Sequence, residues 1–302
     1  MSARLPVVPI LVFVAVAFGL AWLVVLPLWR EPAGIASPLA TLLLPAMMLT
    51  PAIATLVVVI LLRSPRQDRR AFLGLWPLGP VRRWLGYLAF ALVVPIVIVV
   101  AAVFISSAFG WVRLDLVNLS GLHEQLTAAV PDGTALPPLQ MLLVLQLVQI
   151  PLGAVINSVF AAGEEIGWRG WLQPALMPLG TWPALVITGI VCGLWHSPVI
   201  LLGYNFGRPD LSGVLFMIGG CVMWGLLLGW LRLRSDSVWP AVLAHGSLNA
   251  AGGVVFLVAA AGARPDLAVV GPLGAVTWVL LAIVIAVLAA SGRFTAPVGE
   301  RG

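Results

Sequence analysis

The sequence is a series of long apolar runs separated by short stretches rich in Arg, Pro and Gly. A helix needs about 20 apolar residues to cross the hydrocarbon core of a bilayer. Runs of this length recur along the whole chain, and they predict an all-α, polytopic membrane protein: a bundle of about eight transmembrane helices. The predicted spans are residues 7–29, 38–62, 84–109, 139–162, 182–202, 211–233, 238–261 and 267–290.

The composition supports a single transmembrane domain over residues 1–302. Hydrophobic residues make up 61% of the chain and charged residues only 9%, whereas about 25% of residues are charged in a soluble domain. All 16 basic residues are Arg. Because the sequence has no Lys, a Walker A phosphate loop and a Schiff-base lysine are excluded.

The distribution of arginines predicts the orientation in the membrane. Six lie between the second and third predicted spans, and the positive-inside rule keeps such a loop in the cytoplasm. With an even number of spans, both termini are then cytoplasmic. The net charge of +5 therefore reflects topology, and no nucleic-acid partner is predicted. The lack of Lys and the richness in Arg, Ala, Gly and Pro favour a GC-rich bacterium and its inner (plasma) membrane. The six arginines are Arg63, Arg66, Arg69, Arg70, Arg82 and Arg83.

Three polar clusters lie within or at the ends of predicted spans, where ionisable groups are costly and point to function. Each cluster alone has a structural alternative, either an i,i+4 ion pair at a helix end or a hydrogen bond between helices. Their joint occurrence favours a functional site. The clusters are Glu164, Glu165 and Arg169 at the cytoplasmic end of the fourth span, His196 in the fifth, and His245 and Asn249 in the seventh.

Helical spacing places some of these side chains on common faces. His245 and Asn249 are four residues apart, so both project from one side of their helix, and both can donate a hydrogen bond to a polarised carbonyl oxygen. Glu165 and Arg169 are related in the same way, whereas Glu164 points about 100° away. One glutamate is then predicted to be structural and the other chemical, because a buried carboxylate suits a general base.

In order and composition, the three clusters resemble the CAAX protease and bacteriocin-processing family, which includes the type II CAAX prenyl endopeptidases and the Abi proteins. The Glu-Glu-x-x-x-Arg and His-x-x-x-Asn motifs match in full. The second motif departs from the family pattern, because Cys192 stands where Phe-x-x-x-His has its aromatic residue. The resemblance covers residues 139–262, which are predicted to be the catalytic core.

The resemblance implies an intramembrane endopeptidase in the lipid bilayer, with a peptide or protein substrate that enters from the cytosolic side or from the bilayer. It also implies a role for each polar residue. Glu164 is the general base, Glu165 the more dispensable carboxylate, Arg169 the residue that orients them, His196 the partner that holds and activates water, and His245 with Asn249 the oxyanion site.

The residues leave the cofactor open between none and zinc. Glu164, His196 and His245 are the candidate donor set for zinc, but no His-Glu-x-x-His motif is present. A glutamate-activated water without metal is therefore favoured. Two other functions remain as alternatives: a non-catalytic membrane partner or immunity protein, and a secondary transporter with the glutamates as proton carriers.

The remaining patterns are predicted to be structural. Gly225 and Gly229 form a small-xxx-small packing face, and Cys192 and Cys221 are reduced packing residues. The tryptophans Trp168, Trp171 and Trp182 belong to the aromatic belt at the inner interface. One discrepancy remains, because His196 lies about 20 Å along its span, too deep to meet a glutamate at a helix end.

Overall fold

The computed structural model describes residues 4–131 and 134–294. Within them the structure is an all-α bundle, and the β pairing found there is one isolated bridge between Leu114 and Ala259. The predicted cytoplasmic termini fall on residues 1–3 and 295–302, outside the described part.

Fifteen α-helices make up this described part of the chain. They are α1 (Val7–Arg30), α2 (Ala40–Met48), α3 (Thr50–Ile60), α4 (Arg69–Phe72), α5 (Val81–Ala108), α6 (Ser120–Ala129), α7 (Leu139–Glu165), α8 (Gln173–Leu176), α9 (Thr181–Trp195), α10 (Ser197–Ile200), α11 (Leu211–Ser235), α12 (Trp239–Ala251), α13 (Val254–Val258), α14 (Leu267–Val270) and α15 (Ala275–Ala290).

Seven helical segments among the described residues are long and apolar enough to cross a membrane, which confirms a polytopic membrane protein. The fifth predicted span is the exception, because α9 has only 15 residues. This helix ends at Trp195, three residues before Pro198, which has no N–H to continue the helical hydrogen bonding to the carbonyl of Leu194. The seven are Val7–Arg30, Ala40–Ile60, Val81–Ala108, Leu139–Leu179, Leu211–Ser235, Trp239–Val258 and Leu267–Ala290.

The prediction that the fourth span ends at Ala162 is wrong. After α7 the helix continues as a π-helical segment, Ile166–Leu172, and the whole helical run of 41 residues reaches Leu179. Glu164 is therefore inside a helix rather than at its end, and the apparent mismatch in depth with His196 disappears. A charge ends an apolar run in the sequence, but a charge that is paired inside a bundle does not end the helix.

Glycines allow α7 and the π-helical segment after it to approach their neighbours closely on both sides of the glutamates. A Cβ atom on Gly163 would lie 2.6 Å from the carbonyl oxygen of Met48, and one on Gly167 would lie 2.4 Å from Cβ of Pro51. On α12, a Cβ on Gly246 would lie 2.3 Å from the carbonyl oxygen of Ala154 in α7. Residues larger than glycine would therefore push α2, α3 and α12 away from α7.

The tryptophan prediction fails for two of its three residues. Trp168 and Trp171 are fully buried and pack on Phe13 of α1, while Trp182 is exposed. The π-helical segment turns Trp168 and Trp171 into the bundle instead of toward the membrane interface.

The packing role of the small residues on α11 is confirmed. A Cβ on Gly225 would lie 3.1 Å from an NH2 nitrogen of Arg169, and one on Gly229 would lie 2.2 Å from Leu185. Gly225 therefore leaves room for the guanidinium group at the centre of the bundle.

Candidate active site

A cavity of about 930 Å³ lies between α2, α7, α9, α11 and α12. It is lined by all of the residues that the sequence predicts to be functional, although they come from three separate stretches of the chain. The structure thus brings together Glu164, Glu165, Arg169, His196, His245 and Asn249.

Glu165 is the centre of a buried polar network on one side of this cavity. Its Oε1 atom accepts a hydrogen bond from Arg169 at 2.9 Å and lies 2.8 Å from Nδ1 of His245. The side chain of Glu165 is 0% exposed and that of Arg169 3%. Because an unpaired charge is very unfavourable in a protein interior, the pairing of Glu165 with Arg169 is what allows both side chains to be buried.

Glu164 has a different environment from its neighbour in the sequence. Its Oε2 atom accepts a hydrogen bond from the indole Nε1 of Trp168 at 3.3 Å. In the described part of the chain, no basic side chain lies within 4.0 Å of its carboxylate. The two adjacent glutamates therefore differ in environment. Glu165 is ion-paired, whereas Glu164 faces the cavity and accepts one long hydrogen bond, from Trp168.

His196 lies at the C-terminal end of α9, and the way the helix ends fixes its ring. Its backbone N–H donates to the carbonyl of Gly193, and its Nδ1 lies 2.8 Å from the carbonyl oxygen of Cys192. A carbonyl oxygen only accepts, so Nδ1 carries the proton and a neutral ring keeps an acceptor lone pair on Nε2. His196 can thus accept a hydrogen bond on the cavity side.

On α12, His245 and Asn249 lie one turn apart and both line the cavity. With its Nδ1–H given to Glu165, His245 presents Nε2 to the cavity. The predicted common face of these two residues is confirmed. So is the predicted pairing of Glu165 with Arg169.

Several residues at this cavity were not predicted from the sequence to belong to the site. Trp168 was assigned to the membrane interface, and Cys192 and Cys221 to general packing, yet all three lie at the site. Tyr204, from the loop after α10, also lines the cavity. Burial and then the charge of Glu164 raise the pKa of the Tyr204 phenol, so it stays a donor. Helical spacing could have indicated two of them, because Trp168 follows Glu164 by four residues and Cys192 precedes His196 by four. No local spacing connects Cys221 or Tyr204 to the three motifs.

Residues 143–251 match the family model described as "Type II CAAX prenyl endopeptidase Rce1-like". The match begins in α7 and ends at the last residue of α12, so it contains all six residues of the site. The chain carries an Rce1-like domain. No curated protein matches the sequence. The family resemblance inferred from the three motifs is confirmed for residues 143–251, which lie within a multi-pass membrane protein.

The Rce1-like domain does not bring the predicted zinc donors close together. In the part of the chain that the structure describes, the group of three donors whose ligand atoms lie within 4.8 Å of one another is Cys192, His196 and Cys221. Glu164 and His245 are not part of such a group. A zinc site made of Glu164, His196 and His245 therefore has no geometric support.

Proposed function

We propose that this protein is an intramembrane endopeptidase that hydrolyses a peptide bond near the C-terminus of a CAAX-type substrate. The observation that carries the proposal is the convergence of six polar side chains on one cavity inside a bundle of apolar helices. We place the catalytic core at residues 139–262 of a single membrane domain, in a bacterial inner membrane with both termini cytoplasmic.

Glu164 and His196 would activate the attacking water. Both present an acceptor to the cavity, the free carboxylate of Glu164 and Nε2 of His196. A water that donates one hydrogen to each acceptor directs a lone pair at the carbonyl carbon of the substrate. Glu164 then takes the proton as the C–O bond forms, and returns it to the leaving amine when the C–N bond breaks. No metal is needed to balance these steps.

His245 and Asn249 would stabilise the oxyanion. The Asn249 amide donates directly, but a neutral His245 whose Nδ1–H is directed at Glu165 has no second proton to donate. His245 therefore has to act as an imidazolium, whose Nε2–H donates to the oxyanion. Glu165 supplies the counter-charge for this cation, and Arg169 holds Glu165 in place.

The rest of the cavity wall suits an apolar substrate that arrives from the bilayer or the cytosolic side. Its volume of about 930 Å³ lies at the upper end of the range for ligand pockets, about 300–1,000 Å³. A cavity of this size with a largely apolar wall favours a short C-terminal peptide with apolar side chains, with or without a prenyl group. Among the apolar residues of the wall are Leu44, Met48, Phe160, Leu248 and Phe256.

The test compares the purified full-length protein with Glu164→Gln and His196→Ala on a farnesylated Cys-a-a-X reporter peptide. We expect cleavage by the wild type and a loss of about 100- to 10,000-fold in both variants. The matched controls Glu31→Gln and His123→Ala change exposed residues and should cleave normally. If folded wild-type protein cleaves neither this reporter nor its unprenylated form, the proposal is wrong. Normal cleavage by Glu164→Gln would refute the assigned base.

A further inference from the structure

Two thiols and an imidazole lie together in the wall of the cavity. The Sγ atoms of Cys192 and Cys221 are 3.5 Å apart, and Sγ of Cys221 lies 3.9 Å from Nδ1 of His196. The ligand atoms of all three residues lie within 4.8 Å of one another. Both cysteines are free and buried, and both contribute to the cavity lining.

The packing of α9 against α11 holds the three residues in register. A Cβ on Gly189 would lie 2.6 Å from Cα of Val222, and one on Gly193 would lie 2.5 Å from Cα of Ile218. These two close approaches lie on either side of Cys192. Close contact between the two helix backbones thus fixes the positions from which the side chains of Cys192 and Cys221 project.

Two of the three separations are close to those of a tetrahedral metal site. Zinc–sulfur bonds of about 2.3 Å and zinc–nitrogen bonds of about 2.0 Å place two sulfurs about 3.8 Å apart, and a sulfur and a nitrogen about 3.5 Å apart. The observed separations of 3.5 Å and 3.9 Å differ from these by only a few tenths of an ångström. Two soft thiolates and an imidazole select thiophilic cations rather than magnesium or calcium.

We propose that Cys192, His196 and Cys221 form a binding site for one thiophilic divalent cation of the zinc and cadmium class. On binding, each thiol releases one proton to solvent, two metal–sulfur bonds form, and a nitrogen lone pair of His196 supplies the third bond. Two thiolates neutralise the divalent charge. The fourth position is open to the cavity.

Occupancy of this site would inhibit peptide hydrolysis, a consequence that rests on the function proposed above. If the cation binds Nδ1, the hydrogen bond from Nδ1 to the Cys192 carbonyl breaks and the proton of a neutral ring moves to Nε2, which then donates instead of accepting. If the cation binds Nε2, it takes the lone pair that would otherwise accept a hydrogen bond from water. In both cases His196 no longer accepts a hydrogen from the attacking water.

Cadmium titration of the purified full-length protein tests the site without any substrate, by the ultraviolet absorbance of sulfur-to-cadmium charge transfer. We expect one cadmium per chain in the wild type. Cys192→Ser and Cys221→Ser should each weaken binding by about 100-fold or more, beyond the 10- to 100-fold cost of losing an outer-shell partner. His245→Gln, a histidine of the same cavity outside the cluster, should keep the signal. Absence of the absorbance in the wild type, or its full retention in both serine variants, overturns the proposal.

Peptidase assays with and without zinc test the inhibitory consequence. Zinc should lower the rate of the wild type at least about tenfold relative to its own metal-free rate, and chelation should restore it. For Cys221→Ser, the ratio of the rate with zinc to the rate without zinc should stay near one. Cadmium binding without zinc inhibition would refute the inhibition and leave the site intact. Failure of all reporter cleavage would count against the proposed function alone, since the absorbance titration needs no activity.

Discussion

Oε1 of Glu165 lies 2.8 Å from Nδ1 of His245, although the two residues are 80 positions apart in the chain. The contact joins α7 to α12, and Arg169 shares the same oxygen atom at 2.9 Å. Glu165, which the motif resemblance implies to be the more dispensable carboxylate, thus connects the first and third motifs. Its expected role is to position His245 and to neutralise Arg169, rather than to react.

Removal of this carboxylate should destabilise the fold. Glu165→Ala leaves the guanidinium of Arg169, only 3% exposed, without its counter-charge. Breaking a buried ion pair in this way costs about 3–5 kcal/mol. Thermal unfolding in detergent should show this loss, and the double variant Glu165→Leu with Arg169→Met should recover most of it. An unchanged melting temperature for Glu165→Ala would contradict a structural role.

The neighbouring glutamate should behave in the opposite way. Glu164→Gln keeps a carbonyl oxygen that can accept from Trp168, so its free energy of unfolding should stay within about 1 kcal/mol of the wild type. Hydrolysis should nevertheless fall by about 100- to 10,000-fold, because an amide cannot take a proton from water. Equal effects of Glu164→Gln and Glu165→Gln on both stability and rate would contradict this division of roles.

Trp168 is predicted to position Glu164 through its indole N–H. Trp168→Phe removes that donor and retains a buried ring. A hydrogen bond to a charged group is worth about 1.5 kcal/mol or more, so we expect kcat to fall by about tenfold with KM unchanged. The matched control is Trp171→Phe, which is equally buried but donates to the carbonyl of Ser64. If the two variants lose activity equally, Trp168 has no specific role at the site.

The close crossing of α7 and α12 should tolerate no added methyl group. A Cβ on Gly246 would lie 2.3 Å from the carbonyl oxygen of Ala154 and 2.8 Å from the backbone nitrogen of Ser158. Gly246→Ala is expected to cost about 1–3 kcal/mol of stability and to lower the rate by displacing His245. Gly19→Ala, where a Cβ meets nothing within 4 Å, provides the comparison. A rate for Gly246→Ala equal to that of Gly19→Ala would show that this crossing does not position the site.

The sequence predicts the parts of the site that depend on spacing within one helix. The pairs Glu165 with Arg169 and His245 with Asn249 are each four residues apart, and helical geometry alone places each pair on one face. Apolar runs of sufficient length likewise predict most of the spans. Both inferences need only local information, and both agree with the structure.

The contacts between helices could not be predicted in this way. The pairing of Glu165 with His245 and the approach of Cys192 to Cys221 depend on how distant helices pack, which one sequence does not specify. The continuation of α7 through Glu165 was missed for a related reason. An apolar run stops at its first charge, whereas the helix stops only where backbone hydrogen bonding does.

The short α9 has a consequence for the surrounding lipid. Fifteen helical residues span about 22 Å, less than the hydrocarbon thickness of about 30 Å. Lipid adapts to such hydrophobic mismatch by local thinning of the bilayer, and several side chains of this helix, Ile190 and Leu194 among them, are exposed at the surface of the bundle. Thinning of the bilayer beside α9 would shorten the path from bulk solvent to His196. The same break that ends the helix would then help to supply the water that the proposed hydrolysis consumes.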